Sequence, residues 1–385
     1  MDGFAFRPVT GDTAAMNFDF SDDLKLLREQ ARKFLGERSP PQAVRKILEG
    51  AAPYDAELWQ AVAGMGWLGA AVPEPYGGAG LGYDGLCVLA EEMGHTLAPI
   101  PFSSSIYLAS EAILAAGSEA QKQAYLPRLV TGERIGTLAF AEGAGNPDTT
   151  RIQARVASGK LSGTKLPVPD GGIADFAVVV ADGVGKASLY LVDLRDAGVK
   201  RTSLKGLDPT RNQAKLEFQD VPAEPLGPAG QGLDLIRALL DRAAVLIAFE
   251  QVGGAQACLD MARTYATERY AFGRPIGSFQ AIKHKLADVY VATELARSNA
   301  YYGVWALSSD AAELPIAAAA ARVSAIDAFH LASKENIQTH GGMGFTWEAD
   351  CHLYYRRAKL LATAIGTAPY WKDRLISELE RRNAP

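Results

Sequence analysis

The sequence predicts an α+β protein in three consecutive parts: an N-terminal α-helical domain, a small middle β domain of barrel or sandwich type, and a C-terminal α-helical domain. Three observations predict it. Apolar residues recur every three or four positions before about residue 135 and again after residue 232, the period of a half-buried helix. Between 136 and 225 the alternation shortens to every second residue, the period of a strand with one buried face. Pro and Gly then crowd into 222–232, which marks a linker. The expected boundaries are an extension over 1–15, a helical domain over 16–135, a β domain over 136–225 and a helical domain over 226–385.

Residues 1–15 show no periodicity, and Asn17-Phe18-Asp19-Phe20-Ser21-Asp22 then reads as a helix entry. Asp22 and Asp23 suit the first turn of a helix whose apolar face carries Leu24, Leu27, Ala31, Phe34 and Leu35. A helix is expected over 56–68, followed by the turn-rich Pro73-Glu74-Pro75-Tyr76-Gly77-Gly78-Ala79-Gly80 and by helices over 86–93, 106–116 and 122–129. In the β domain Ile152, Ala154 and Val156 alternate with Arg151, Gln153 and Arg155, and Ser158-Gly159 turns the chain into a strand over 161–168. Further strands are expected over 174–181, 187–194 and 214–221. The remainder reads as helices over 233–267, 280–307, 315–339 and 351–364, with no strand and no internal repeat.

Composition narrows the function classes. The 385 residues are 48% hydrophobic and 22% charged, which fits a packed core and excludes a disordered chain. Lys and Arg total 39 against 44 Asp and Glu, a net charge of −5, and no basic block is present, so nucleic acid is not an expected partner. Cys87, Cys258 and Cys351 are scattered and odd in number, which excludes a disulfide framework and points to a reducing, cytoplasmic setting. The 5 histidines have no metal-ligand spacing, so no metal is expected. The Ala-rich run at 317–321 falls short of the roughly 18 residues of a membrane span, and no leader pattern is read, so no membrane association is expected.

Two segments carry dense chemistry. Tyr265-Ala266-Thr267-Glu268-Arg269-Tyr270-Ala271-Phe272-Gly273-Arg274-Pro275-Ile276-Gly277-Ser278-Phe279-Gln280 breaks a helix and leaves Arg269 and Phe272 within one turn. A cation, a ring and an amide so grouped suit a ligand with a phosphate and a ring; a helix hairpin with a solvated Arg satisfies the same spacing. Gln338-Thr339-His340-Gly341-Gly342-Met343-Gly344-Phe345 follows a helix rather than a strand, so it is not a dinucleotide-binding fingerprint. Its glycines let backbone amides approach an anion, or simply turn the chain between two helices.

Together these segments resemble the acyl-CoA dehydrogenase family of flavoproteins over about residues 17–380. The resemblance rests on the RxxFG and Gln280 segment, on the QxxGGxG loop and on Val72-Pro73-Glu74-Pro75-Tyr76-Gly77-Gly78-Ala79-Gly80. The helix–strand–helix order is also that family's architecture, with a four-helix bundle as its C-terminal domain. The resemblance implies FAD as cofactor and an acyl-CoA thioester as substrate. It implies that Arg269, Phe272 and Gln280 hold the adenosine pyrophosphate of FAD, that Gln338, Gly341 and Gly342 reach the same FAD from a neighbouring subunit, and that Thr367 lies near the flavin. It further implies a homotetramer or an α2β2 heterotetramer, with an electron-transfer flavoprotein as electron acceptor.

In that family a carboxylate removes the Cα proton of the thioester while flavin N5 takes a hydride from Cβ, which asks for a carboxylate of raised pKa. This sequence departs from the pattern there. The window of the usual Tyr-Glu-Gly-Thr motif reads Ala364-Ile365-Gly366-Thr367, and the alternative base position holds Ala243, followed by Ala244 where Arg is usual. Two nearby carboxylates remain as candidate catalytic bases. Glu250 lies seven residues after Ala243, on the same helix face, and Asp241 lies two residues before it, rotated by about 200°. A paired structural carboxylate is the other reading of each. The flavin end is altered as well: Ala141 and Pro147 replace a Thr and a Ser, and Pro167 and Pro169 replace an aromatic and a Thr. Four expectations compete: a self-sufficient dehydrogenase with a relocated base, a half-site subunit of a heteromeric enzyme, a non-redox binding subunit that keeps the fold, and an oxidase or monooxygenase relative, which nothing in the sequence favours. Arg356, Arg357 and Lys359 read by default as a solvated helix face, with Arg357 in place of a usual Asp. Tyr301, Tyr302 and Trp305 read as a packing stripe, and Cys87 as core.

Overall fold

The computed structural model describes residues 21–147, 152–183 and 185–384. The expected extension over 1–15, Asn17 to Phe20 of the helix entry, Asp148 and Arg151 lie outside the described residues. The N-terminal part comprises α1 (Asp22–Arg38), α2 (Pro41–Leu48), α3 (Ala56–Gly64), α4 (Gly82–His95), a π-helical segment (Ser103–Ser110), α5 (Glu111–Ala116) and α6 (Glu119–Val130). Local chemistry sets several of these ends. The Ser21 hydroxyl accepts the Leu24 amide at 3.3 Å, and Ser118 and Gln121 form a reciprocal capping box at the start of α6. The helix expected over 106–116 is corrected: its first part is the π turn, which only the packing of its buried face against β1 and α7 reveals.

The middle part is one mixed sheet. Its strands are β1 (Gly136–Ala139), β2 (Arg155–Ala157), β3 (Lys160–Pro169), β4 (Phe176–Asp182), β5 (Ala187–Asp193), β6 (Val199–Ser203), β7 (Gln213–Pro222) and β8 (Glu224–Leu226). Their order is β6-β7-β3-β2-β4-β5-β8, with β1 lying parallel against β4. The expected turn at Ser158-Gly159 joins β2 to β3, pairing Ala157 with Lys160. Strand β1 has all its residues buried, so it shows no alternation and escapes a period-two reading.

The C-terminal part comprises α7 (Gly232–Glu268), α8 (Gln280–Ser308), α9 (Leu314–His340), α10 (Cys351–Leu361) and α11 (Ala368–Asn383). Helix α9 is its axis, packed on α7, α8, α10 and α11. Two expectations need correction here. The α7–α8 connection holds a short antiparallel pair, β9 (Tyr270–Ala271) and β10 (Arg274–Pro275), where no strand was expected. And the stretch Leu314–Phe345 is long and apolar enough to cross a membrane, with half of its most apolar window buried inside the fold. The Ala residues that make it apolar are the small ones that let α7 and α8 pack closely on it.

Helix α4 crosses α7 at a contact that tolerates only hydrogen. A Cβ on Gly94 would lie 1.8 Å from the Glu250 carbonyl oxygen, and one on Gly253 would lie 1.8 Å from that of Glu91. This mutual approach carries the Glu250 turn of α7 into the N-terminal part.

Candidate functional site

A cleft of about 750 Å3 opens where the β sheet meets the α10–α11 connection. The 140–147 turn forms one wall, held to β3 by the Leu166 amide donating to the Ala141 carbonyl at 2.9 Å and the Gly143 amide donating to the Leu166 carbonyl at 2.8 Å. Pro167, Pro169 and Leu360 add flat apolar surface, and Thr367 closes one end as the first cap position of α11, its side chain making no capping bond. All four substituted positions noted in the sequence, Ala141, Pro147, Pro167 and Pro169, line this one cleft.

Among the described residues lining the cleft the one carboxylate is Glu142. It accepts from the Gln153 amide at 2.7 Å, the Ala154 amide at 3.0 Å and the buried Lys165 ammonium at 2.7 Å. Burial pushes its carboxyl up, but the hydrogen bonds from Lys165 and the two amides outweigh burial and leave it below its ordinary value. It is therefore a fixed anion and a poor proton acceptor.

The other expected cofactor residues gather at one end of the helical bundle. There the end of α7, the start of α8 and the end of α9 meet, and the Tyr265 ring stacks on His340 at 4.2 Å. Arg269, Gln280, Gln338, Gly341 and Gly342 are exposed on this end. Phe272 is 96% exposed and sits at φ 53°, a left-handed backbone for a residue with a side chain. Nothing lies within 4 Å of where a Cβ would stand on Gly341 or Gly342. The structure thus brings six of the expected residues together and sets Thr367 apart, in the cleft.

These residues fit FAD. Arg269, two Gln side chains and approachable Gly amides supply donors for a pyrophosphate, Phe272 offers a bare ring face, and the cleft offers apolar wall at Pro167, Pro169 and Leu360.

Glu250 and Asp241 are not cleft residues. Glu250 is fully buried and meets Arg211 at 2.8 Å and Arg357 at 3.4 Å through one oxygen. Arg357 also reaches Asp208 at 2.7 Å and the Thr210 hydroxyl at 2.9 Å, while Asp170 accepts from Ser104 at 2.6 Å. The default reading of Arg357 as part of a solvated face is therefore corrected: three carboxylates surround it and Arg211, and together they compensate its loss of water. Sequence reading missed this cluster, whose one available signal was the Arg at 357 in place of Asp. Asp241 is buried against Arg374 at 2.5 Å; burial pushes its carboxyl up to about 6 despite that cation. Ile365, Ala243 and Ala244 are all fully buried. Tyr302 and Trp305 stack at 5.8 Å and Cys87 is buried, both as packing residues.

The chain is similar to known proteins over most of its length. Residues 21–133 match the family model for the acyl-CoA dehydrogenase N-terminal domain, and residues 230–376 match that for the C-terminal domain. The acyl-CoA dehydrogenase IpdE2 of Mycobacterium tuberculosis is 35% identical over 361 residues, covering 93% of this chain and 98% of that protein. A solved variant of the Tcur3481-Tcur3483 steroid ACAD matches with a TM-score of 0.86 at 32% identity, covering 94% of this chain and 99% of that one. The ChsE4-ChsE5 complex from Mycobacterium tuberculosis matches with a TM-score of 0.86 at 28% identity, over 96% of this chain and 100% of that one.

Proposed function

Because the chain belongs to the acyl-CoA dehydrogenase family, whose members depend on FAD, we propose that it takes part in the α,β-dehydrogenation of an acyl-CoA thioester as the subunit that completes a FAD site without supplying the base. One observation carries this reading: the single carboxylate among the described cleft residues, Glu142, is held anionic by Lys165 and two amides. FAD, when bound, accepts the hydride from Cβ of the thioester. The work of this chain is then binding and orientation. Arg269 and Gln280 hold the pyrophosphate, Phe272 covers the adenosine, and Gln338 with the Gly341 and Gly342 amides serves the same cofactor across a subunit boundary. Pro167 and Pro169 keep the cleft wall apolar and exclude water. The Cα proton leaves to a carboxylate on a different chain. Two similar solved structures bear paired names, Tcur3481-Tcur3483 and ChsE4-ChsE5, which is consistent with such a division. The complex is an α2β2 heterotetramer in this reading, and an electron-transfer flavoprotein is its electron acceptor.

The visible absorption spectrum of the chain purified alone tests this. The expected outcome is a folded protein with little or no flavin that becomes flavin-loaded and active only when coexpressed with its partner. A fully active, flavin-loaded homotetramer overturns it.

A further inference from the structure

The buried charge cluster has one unfinished side. Arg211 and Glu250 form a one-pronged pair, with Nη2 meeting Oε1 at 2.8 Å. Arg211 Nε and Glu250 Oε2, the atoms a second prong would use, have no partner among the described residues. Tyr107 Oη has none either. The charges of Glu250, Arg211 and Arg357 act on its phenol. Tyr107 and Glu250 are fully buried and Arg211 is 5% exposed, so bulk water does not serve these atoms and leaving them bare is costly. Tyr107 stands on the π turn, one helical step from Ser103, whose hydroxyl accepts from Arg211 Nη1 at 3.1 Å. Such turns are frequent at functional sites.

The three bare atoms specify a chemistry. A guanidinium N–H only donates, a carboxylate oxygen only accepts, and a phenol does either. A group that donates once to Glu250 Oε2 and accepts from Arg211 Nε and Tyr107 Oη completes all three. That group is a hydroxyl oxygen. A carbonyl would leave Glu250 Oε2 bare, a carboxylate would press one acceptor on another, and an ammonium has nothing to accept with.

The geometry points to a buried hydroxyl-binding site at Tyr107, Arg211 and Glu250, filled by water or by an alcohol carried on the acyl group. Four segments of chain run between the cleft and the cluster: Pro169, Gly206, Gln213 and Leu360 line the cleft, and Asp170, Asp208, Arg211 and Arg357 of the cluster follow or precede them within a few residues. A hydroxyacyl-CoA is therefore the substrate class this site would select; that half of the inference rests on the proposed dehydrogenase function.

The test uses the full chain with FAD and with whatever subunit copurifies. Hydroxyacyl-CoA probes of increasing length, each matched to the plain acyl-CoA, are titrated calorimetrically into the protein and into Tyr107→Phe. Both proteins are also crystallised without acyl-CoA. Tyr107→Phe deletes only an oxygen without a partner, so the fold is retained. If the acyl group is the source, one hydroxyacyl probe binds at least about tenfold tighter than its match, and Tyr107→Phe removes that preference. If water is the source, no probe is preferred, and the crystals show one ordered oxygen within hydrogen-bond distance of Arg211 Nε and Glu250 Oε2. No preference and no such oxygen overturns the site. Failure of every acyl-CoA to bind overturns the dehydrogenase reading and the hydroxyacyl class with it, and the crystals then decide the hydroxyl site alone.

Discussion

Glu250 sits between two guanidiniums, Arg211 at 2.8 Å and Arg357 at 3.4 Å, in a fully buried position. Both guanidiniums engage the same carboxylate oxygen, so Glu250 serves as a paired structural carboxylate. Glu250→Gln should therefore lower stability by about 3–5 kcal/mol in urea unfolding, because two buried charges lose a counter-ion. Unchanged stability with turnover abolished would instead make Glu250 the base. Glu111 is a different case. It is buried beside the Tyr83 hydroxyl, which donates to it at 2.8 Å, and Arg242 at 3.8 Å. Burial pushes its carboxyl up to about 7 from an ordinary 4.5, with Tyr83 and Arg242 offsetting only part of the rise. The folded state thus keeps a proton that the unfolded chain has lost, so its contribution to stability falls as pH rises from about 4.5 to about 7. Glu111→Gln should flatten that slope and gain up to about 3 kcal/mol over the parent above neutral pH, with no gain in acid. Urea midpoints measured across this range check it; parallel curves for the two proteins would refute it.

The α4–α7 crossing shows how an element-scale contact delivers a residue to its place. Gly94 and Gly253 each face a backbone carbonyl 1.8 Å from where a Cβ would stand, and backbone cannot rotate away as a side chain can. Gly253→Ala should lower Tm by an amount equivalent to about 1–3 kcal/mol. Gly36 in α1 is the control, since nothing lies within 4 Å of its Cβ position. Gly36→Ala should stabilise by about 0.5–1 kcal/mol through backbone entropy alone. Equal melting shifts for the two variants would contradict the crossing as described. The same crossing brings Glu250 against the N-terminal part, so Gly253→Ala should also perturb the Arg211 pair.

At the scale of the whole molecule, the bundle end that carries the expected adenosine residues exposes a group of large apolar side chains. Tyr270 is 64% exposed, Phe272 96%, Met343 55% and Phe345 81%. Patches of this kind on a folded chain mark surfaces that another molecule covers. Phe272→Ser should reduce both FAD retention and assembly size, read together by absorbance during gel filtration. An assembly unchanged in both would detach Phe272 from either role. The expected adenosine residues lie on an outer end of the bundle and the cleft lies elsewhere, so one isolated chain presents the two apart.

The order of helices, strands and helices, the Ser158-Gly159 hairpin, the family's two sequence motifs and the apolar residues at Ile365 and Ala243 were all legible in the sequence by itself, because each is written within a few neighbouring residues. The fully buried β1 and the π turn were missed, since burial on every face erases the period that marks an element, whereas α9 was read to within a residue at each end and only its apolar length was underestimated. The fate of Glu250 was decided by tertiary structure alone. Arg211 lies 39 residues away from it along the chain and Arg357 lies 107 away, and ion pairs over such separations follow from how whole elements pack, which leaves no local pattern to read.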